Sequence, residues 1–280
     1  MRNFDLIEPK TVTEACKMLD VGEDVRPVSG GTALLILVKQ GLLRPETLVN
    51  LKKLEGVNAI TRDGAGAVRI EAMATIHEVE TSAVVREHLP VVAAACHQVA
   101  NIRIRHLATI GGNLAHGDHQ SDPPGVLVAL DAEVELTGTR GTRAMKLADF
   151  LLGTYETALE PGEMVTAVTV PPVRGRLVGD YLKFTTGSSE ERPCAGITAL
   201  VRLEGDRPVE ARLAVGAVAA RPLLLRETDP TEGVLQRMAE RAAEEIDPIP
   251  DLRGSAAYKR HLVRVLGRRA LAAAWQEACP

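Results

Sequence analysis

The sequence is 280 residues long, which corresponds to two domains or one large domain at about 150 residues per domain. Apolar residues make up 45% and charged residues 25%, which argues against a disordered chain, a collagen-like repeat and a disulfide-dense scaffold. Lys and Arg number 33 against 37 Asp and Glu, and this formal charge of −4 argues against binding to nucleic acid.

The first 55 residues have the pattern of a small α/β unit. Thr11 and Glu14 have the capping-box spacing that supplies hydrogen-bond partners to the start of a helix. The predicted elements are a helix at 12–20, a strand at 25–29, a tight turn at 30–32, a helix at 33–40 and a strand at 48–51. Strand, glycine turn and helix therefore follow one another directly.

Residues 56–175 are predicted to form a second subdomain. Thr75 and Glu78 repeat the capping-box spacing, and the segment 101–124 is rich in Gly, His and Asp with little periodicity. This segment is therefore predicted to be a long loop, and loops longer than about 12–15 residues in compact domains are usually functional or disordered. The other elements predicted are a strand at 68–73, a helix at 89–100 and short elements at 126–130, 134–136, 147–152 and 164–170.

A domain boundary is predicted between 172 and 180, just after Pro171 and Pro172. The elements predicted after it are strands at 194–203 and 213–218 and helices at 231–246 and 254–278. The chain is thus divided into residues 1–175, with subdomains of about 1–55 and 56–175, and an α+β domain over 176–280.

Several features are absent from the sequence, and their absence bears on the location of the chain and on the groups that it can bind. The first residues have no apolar leader, and no segment approaches the roughly 18 unbroken apolar residues of a membrane span, so we expect a cytoplasmic chain. The four cysteines lie far apart, without a C-x-x-C pair, which argues against zinc or an iron–sulfur cluster in this chain. Aromatic residues are 2%, so an aromatic ligand has to be held mostly by backbone and aliphatic groups.

Two glycine pairs are the strongest candidate binding motifs. Gly30-Gly31 and Gly111-Gly112 each follow a short apolar stretch, and glycine permits tight turns and close approach of another group. The amides of such turns can cradle a phosphate, although neither segment matches the Rossmann fingerprint or the P-loop. Two such turns in one domain favour a dinucleotide, and Asp122 is a candidate partner for its ribose, with a simple turn before Pro123 as the alternative.

The order of these motifs resembles the FAD-binding medium subunit of molybdenum hydroxylases, the family of aerobic carbon monoxide dehydrogenase and xanthine dehydrogenase. The resemblance covers essentially the whole chain. It is carried by Ser29-Gly30-Gly31-Thr32, by the run Thr-Ile-Gly-Gly-Asn-Leu-Ala-His at 109–116, by Leu182-Lys183-Phe184, by Cys194-Ala195-Gly196 and by the segment 254–260.

The resemblance implies an α+β chain: a two-subdomain FAD-binding domain of the vanillyl-alcohol oxidase (PCMH) type, then a smaller C-terminal domain of the CO dehydrogenase flavoprotein type. It also implies a set of FAD-binding residues. They are Val28, Ser29, Gly30, Gly31, Thr32, Ala33 and Leu34 in a first pyrophosphate loop; Thr109, Ile110, Gly111, Gly112 and Asn113 in a second; His116; Asp122 at the ribose or ribityl group; and Val165 and Lys183 nearer the ring.

The sequence departs from the family pattern in three places. Ala33 stands where the family commonly has an acidic residue, residues 117–122 differ from the usual continuation after His116, and 190–193 replace an Asp-aromatic-Ala pattern. We expect flavin affinity or redox tuning to differ accordingly. Arg103 and Arg105 are expected to be solvated or to face a partner, with neutralisation of a diphosphate as the alternative.

The function implied by the resemblance is electron transfer from a small 2Fe–2S partner subunit through FAD to an external acceptor. Substrate hydroxylation would take place on a large molybdopterin subunit, so no acid or base of this chain is assigned a catalytic role. Two alternatives stay open: a stand-alone flavin-binding module and a self-contained FAD oxidase. A third reading takes His116, Asp118, His119 and Asp122 as metal ligands.

Overall fold

The computed structural model describes residues 3–22 and 24–279 as a mixture of helices and sheets. The helices are α1 (Val12–Leu19), α2 (Leu34–Lys39), α3 (Ile76–Thr81), α4 (Ala83–His88), α5 (Pro90–His97), α6 (Ile102–Arg105), α7 (Ile110–His116), α8 (Asp122–Ala129), α9 (Leu147–Phe150), α10 (Glu232–Glu245) and α11 (Ala256–Ala278). The strands are β1 (Asp5–Ile7), β2 (Val25–Val28), β3 (Thr47–Asn50), β4 (Ile60–Arg62), β5 (Val68–Glu71), β6 (Glu133–Gly138), β7 (Gly141–Lys146), β8 (Leu151–Gly153), β9 (Glu156–Thr157), β10 (Met164–Val170), β11 (Arg176–Phe184), β12 (Ala195–Glu204), β13 (Arg207–Gly216) and β14 (Leu223–Thr228).

The amino-terminal part forms a three-stranded parallel sheet in the order β1-β3-β2. Thr47 of the central strand pairs with Asp5 on one side and with Val25 on the other. Helix α1 buries Ala15 and Cys16 in a small core that also contains Val49. Parallel strands need crossover connections, which α1 and α2 provide here.

The middle of the chain forms a five-stranded antiparallel sheet in the order β4-β5-β10-β6-β7. Its central strand β10 is buried at six of seven positions, because helices cover the sheet. Ile70 and Val134 of this sheet, Ile110 and Leu114 of α7, and Leu127 of α8 share one hydrophobic core. The second glycine pair therefore sits on a helix that is anchored in this core.

The carboxyl-terminal part forms an antiparallel sheet in the order β11-β12-β13-β14, packed against α10 and α11. A separate core joins these elements, with Ile197 and Leu213 from the sheet and Val263 from α11. On its other side the sheet packs against α8, all eight residues of which are buried. Gly125 of α8 and Gly216 of β13 face one another at this interface, where a Cβ on Gly125 would be in ordinary contact, 3.6 Å from the Gly216 Cα.

Most of the elements expected from the sequence are confirmed. Both capping boxes form, at Thr11 with Glu14 and at Thr75 with Glu78. The expected helices at 12–20, 33–40, 89–100, 231–246 and 254–278 and the expected strands at 25–29, 48–51, 68–73, 194–203 and 213–218 correspond to α1, α2, α5, α10, α11, β2, β3, β5, β12 and β13. Within the ranges 3–22 and 24–279, no helix is both long and apolar enough to cross a membrane.

The prediction of a loop over 101–124 is wrong, because α6, α7 and the start of α8 occupy most of it. Local caps compensate for the poor helix propensity of Gly and Asn: the Asn101 side chain accepts from the amides of Arg103 and Ile104, and the Thr109 hydroxyl accepts from the amide of Gly112. Gly117 then ends α7 in the left-handed conformation with φ of 62°.

Candidate flavin site

The two glycine pairs, far apart in sequence, are in direct contact. The hydroxyls of Ser29 and Thr109 lie 3.0 Å apart and share a hydrogen bond. A Cβ on Gly30 would lie 2.1 Å from the backbone oxygen of Leu107, and a Cβ on Gly112 would lie 2.5 Å from the Ser29 hydroxyl. The contact of Gly30 is with backbone atoms, so the junction requires glycine there, whereas a side chain at Gly112 would displace the Ser29 and Thr109 hydroxyls.

The first segment runs from the end of β2 into the start of α2. Gly31 turns the chain with φ of 70°, and the first helical hydrogen bond runs from the amide of Leu35 to the Gly31 carbonyl at 3.1 Å. No side chain caps this helix at Ala33. Among the described residues no acceptor bonds the amides of 32–34, so the turn presents donors of the kind that bind a phosphate.

The second segment uses its amides differently. Its four amides, from Ile110 to Asn113, donate to the Ala74 carbonyl (2.9 Å), the Ala72 carbonyl (2.9 Å), the Thr109 hydroxyl (3.1 Å) and the Thr109 carbonyl (2.9 Å) in that order. The expectation that both glycine pairs present free amides is therefore wrong for this pair. Its glycines serve close packing, since a Cβ on Gly111 would lie 2.4 Å from the Ala72 Cβ.

Asp122 and Lys183 are brought together from the two halves of the chain. Asp122 begins α8, Lys183 lies on β11, and the Lys183 Nζ is 3.2 Å from Asp122 Oδ2. The hydroxyl of Tyr181 donates to Asp122 Oδ1 at 2.8 Å, and Lys183 also donates to the Gln98 carbonyl at 2.7 Å. The side chains of Asp122 and Lys183 are only 5% and 4% exposed, so this is a buried ion pair with further hydrogen bonds on both partners.

Burial has the largest effect on the pKa values of Asp122 and Tyr181. It raises the pKa of Asp122 to about 6, although the Lys183 ammonium and the Tyr181 hydroxyl both act to lower it. Burial, and then the negative charge of Asp122, raise the pKa of Tyr181 well above its usual value. Asp122 is linked to the second glycine segment through its neighbour Ser121, whose hydroxyl donates to Asn113 Oδ1 at 2.9 Å.

His116 and Val165 occupy different surroundings from this ion pair. The His116 ring packs on the Tyr155 ring with centroids 5.0 Å apart, and burial lowers the pKa of His116, so the imidazole is neutral near pH 7. Val165 lies on β10 and is 5% exposed, with its side chain in the hydrophobic core of the five-stranded sheet. The side chain of Val165 thus serves packing.

The four side chains considered as metal ligands do not converge. Asp118 Oδ2 pairs with Arg192 Nε at 2.8 Å, and Asp122 is occupied by Tyr181 and Lys183. In the part of the chain that the structure describes, no three or more metal-binding side chains are grouped so as to hold an ion.

Arg103 and Arg105 have separate environments. Arg103 is exposed, as expected, but Arg105 is buried and its Nε donates to Glu80 Oε2 at 2.9 Å. Arg105 Nη1 also donates to the carbonyl of Val99 at 3.1 Å. Because its guanidinium is used in these contacts, Arg105 is a structural residue and not a solvated one.

The arrangement fits a dinucleotide with little positive charge at its phosphates. One uncapped turn presents amides, and glycine backbones allow the second segment to approach it. Asn113 of that second segment is linked through Ser121 to the pair of Asp122 and Lys183. Residues 2–173 match the family described as FAD binding domain in molybdopterin dehydrogenase, and residues 188–274 match the CO dehydrogenase flavoprotein C-terminal domain. The chain belongs to this family of FAD-binding subunits.

Individual relatives agree with this assignment. The carbon monoxide dehydrogenase medium chain of Afipia carboxidovorans is 33% identical over 279 residues, covering 96% of each chain. The xanthine dehydrogenase FAD-binding subunit of Escherichia coli O157:H7 is 25% identical over 272 residues, covering 94% of this chain and 93% of the relative. The solved structure of reconstituted CO dehydrogenase from Oligotropha carboxidovorans superposes with a TM-score of 0.92 at 32% identity, covering 98% of both chains.

The chain is thus an FAD-binding medium subunit of the molybdenum hydroxylase family and part of an oxidoreductase, as the sequence motifs indicate. Its cofactor is FAD. The sequence analysis missed Tyr181, Gln98 and Ser121, which complete the hydrogen bonds around Asp122 and Asn113. The position of Tyr181 could have been predicted, because it lies two residues before Lys183 on the same strand, and residues two apart on a strand share a face.

Proposed function

We propose that this chain carries electrons through FAD from a small 2Fe–2S subunit to an external acceptor, within a complex whose large subunit holds the molybdopterin. FAD supplies the redox chemistry when it is bound, and the chain's own residues bind and orient it. The medium-chain names of the relatives support assembly with other subunits. The absence of a C-x-x-C pair from the sequence agrees with iron–sulfur centres on another chain.

The observation that carries the proposal is the contact between the two glycine segments in a chain that matches the FAD-binding family. In the proposed site, the amides of 32–34 hold the diphosphate, while Asn113 lies close by through the joined loops. Asp122 accepts hydrogen bonds from the ribose or ribityl hydroxyls, and Lys183 neutralises its charge. Ser29, Gly30, Gly31 and Thr109 shape the turn, and Val28 borders it. The flavin contacts of His116 and Val165 are proposed from the family resemblance alone.

We propose three further properties of the chain, which concern its fold type, its domain boundaries and its location. They are the vanillyl-alcohol oxidase (PCMH) type of the FAD-binding domain, the division at 175/176 with subdomains of about 1–55 and 56–175, and a cytoplasmic location. The two hydrophobic cores that meet at α8 and β11 support a two-domain arrangement with its boundary near the start of β11.

A co-purification experiment tests the function. The full chain is expressed with the proteins encoded beside it, isolated through a tag on this chain, and analysed for flavin, iron and molybdenum. We expect all three, and a flavin spectrum that bleaches when the iron–sulfur partner is reduced and recovers when an acceptor is added. A well-folded chain that takes up no FAD in calorimetry would contradict the proposal, as would a flavin that the purified chain reduces alone with a small alcohol.

A further inference from the structure

Tyr181 is placed to control the orientation of Asp122. Its hydroxyl donates to Asp122 Oδ1 at 2.8 Å, and the residue is 4% exposed, so water does not compete for this hydrogen bond. Tyr181 precedes Lys183 by two positions on β11, and alternate residues of a strand face the same side. Both donors to Asp122 therefore come from one face of the C-terminal sheet.

Gly196 leaves the space that the phenol of Tyr181 occupies. It pairs with Lys183 in the β11–β12 ladder, and a Cβ at this position would lie 2.6 Å from the Tyr181 hydroxyl oxygen and 3.1 Å from its ring carbon Cε2. Any larger residue would displace the hydroxyl from Asp122. The backbone of Tyr181 is held by Gln98, whose side-chain amide donates to the Tyr181 carbonyl at 3.3 Å.

The Asp122 carboxylate has acceptor capacity beyond its hydrogen bonds from Tyr181 and Lys183. A carboxylate oxygen accepts about two hydrogen bonds, so each oxygen of Asp122 keeps one acceptor position beside its contact with Tyr181 or Lys183. The directions of these remaining positions are fixed once both donors are in place. A carboxylate with one donor removed can rotate about its Cβ–Cγ bond and loses that direction.

We propose that Tyr181 is a positioning residue for FAD binding, whose hydroxyl fixes the Asp122 carboxylate so that its remaining acceptor positions meet the ribose or ribityl hydroxyls. The inference rests on the proposed function, because it takes Asp122 to contact FAD. Tyr181 itself acts through Asp122 and touches no part of the cofactor.

The hydrogen bond from Tyr181 to Asp122 also makes the contribution of Tyr181 to FAD binding dependent on pH. The groups that act on the charge of Asp122 are Lys183 and Tyr181 from β11, and the buried thiol of Cys96 lies within electrostatic range from α5. Burial already raises the pKa of Asp122 to about 6, and loss of the Tyr181 hydroxyl removes one of the groups that lower it. Without that hydroxyl, Asp122 takes up a proton at a higher pH and loses acceptor positions there.

The test compares Tyr181→Phe with Tyr258→Phe in the full chain. Tyr258 is 41% exposed on α11 and serves as the matched control. The dissociation constant for FAD is measured by fluorescence titration from pH 5.5 to 8.5. For Tyr181→Phe we expect FAD affinity to fall about tenfold at pH 7 and the loss of affinity on acidification to begin at higher pH, while Tyr258→Phe matches the wild type.

Gly196→Ala provides a second, independent variant that keeps the hydroxyl but crowds it. We expect it to weaken FAD binding alone and to add little in the Tyr181→Phe background, because both changes break the same contact. An unchanged affinity, or a weakened affinity with the wild-type pH profile, in Tyr181→Phe would overturn the inference. A wild-type chain that binds no FAD would instead overturn the proposed function on which it rests.

Discussion

The hydroxyl oxygens of Ser29 and Thr109 lie 3.0 Å apart although the residues are separated by 80 positions in the sequence. Ser29 follows a strand of the parallel sheet, whereas Thr109 caps a helix that is anchored in the antiparallel sheet. This hydrogen bond therefore joins the parts of the chain that carry the parallel and the antiparallel sheet, at the point where the two glycine segments meet. The geometry of the candidate site thus depends on both sheets together.

Removing this contact has a graded effect. Ser29→Ala removes only the hydrogen bond between the segments, and we expect the free energy of unfolding to fall by about 0.5–1.5 kcal/mol. Thr109→Val also removes the cap on the amide of Gly112, which adds about 1 kcal/mol. Urea unfolding measures both, and the double variant should lose less than the sum. Strict additivity would show that the hydroxyls are not coupled.

Gly30→Ala introduces a Cβ that cannot be accommodated. It would lie 2.1 Å from a backbone oxygen at Leu107, and a backbone atom cannot move aside cheaply. We expect a destabilisation of about 1–3 kcal/mol together with weaker binding of FAD. Gly64→Ala is the control, because a Cβ there meets nothing within 4 Å. Thermal unfolding and FAD titration measure the stability and the FAD affinity of both variants. Equal values for the two variants would refute the packing argument.

Arg105 and Arg103 lie on one short helix but differ in burial, which makes them a matched pair. Arg105→Met leaves the Glu80 carboxylate buried with one partner fewer, and we expect a loss of about 3 kcal/mol in unfolding free energy. Arg103→Met changes an exposed residue, so a change within about 0.5 kcal/mol is expected. Urea unfolding at pH 7 compares them. Similar losses in both variants would mean that the buried ion pair does not stabilise the fold.

Glu210 provides a pH-dependent contribution to stability. It accepts hydrogen bonds from Arg202, Arg212 and Arg226, which lower its pKa to about 2 in spite of the opposing effect of burial. A carboxyl whose pKa is lower in the folded chain than in the unfolded chain stabilises fully above the unfolded value, and this stabilisation is lost as the pH falls toward the folded value.

We therefore expect Glu210→Gln to cost about 2 kcal/mol at pH 7, after allowance for partial exposure, and progressively less as the pH falls from 5 to 3. Urea unfolding across this range measures the difference from the wild type. Asp229→Asn serves as control, since Asp229 and its partner Arg207 are 66% and 73% exposed. A cost for Glu210→Gln that does not change with pH would show that the arginines do not act through its charge.

The sequence motifs predicted the amino-terminal helix, the two capping boxes, the last two helices and the first glycine turn, because each depends on residues a few positions apart. They also indicated the FAD-binding family. The sequence did not predict α6 and α7, whose Gly, Asn and His residues have low helix propensity. These helices form because side-chain caps at Asn101 and Thr109 and the burial of Ile110 and Leu114 outweigh that propensity.

Long-range contacts explain why other features of the candidate site were not predicted from the sequence. The ion pair of Asp122 with Lys183 and the burial of Arg105 against Glu80 each join positions that are distant in sequence, and no local pattern specifies such a contact. The amides of the second glycine segment are another case. Their acceptors Ala72 and Ala74 belong to a strand end and loop that lie more than thirty positions earlier, so the occupied state of these amides follows only from the fold.

Helix α8 has no face in water, since the helices α5 and α9 contact it on one side and the strands β12 and β13 on the other. Those two strands leave the ribosome long after the helix itself. Until they do, this apolar helix, which begins with Asp122, lacks the covering on one side. Growing chains interrupted before β12 therefore leave that side of the helix open to chaperones, and the helix is enclosed only once β12 and β13 have been added.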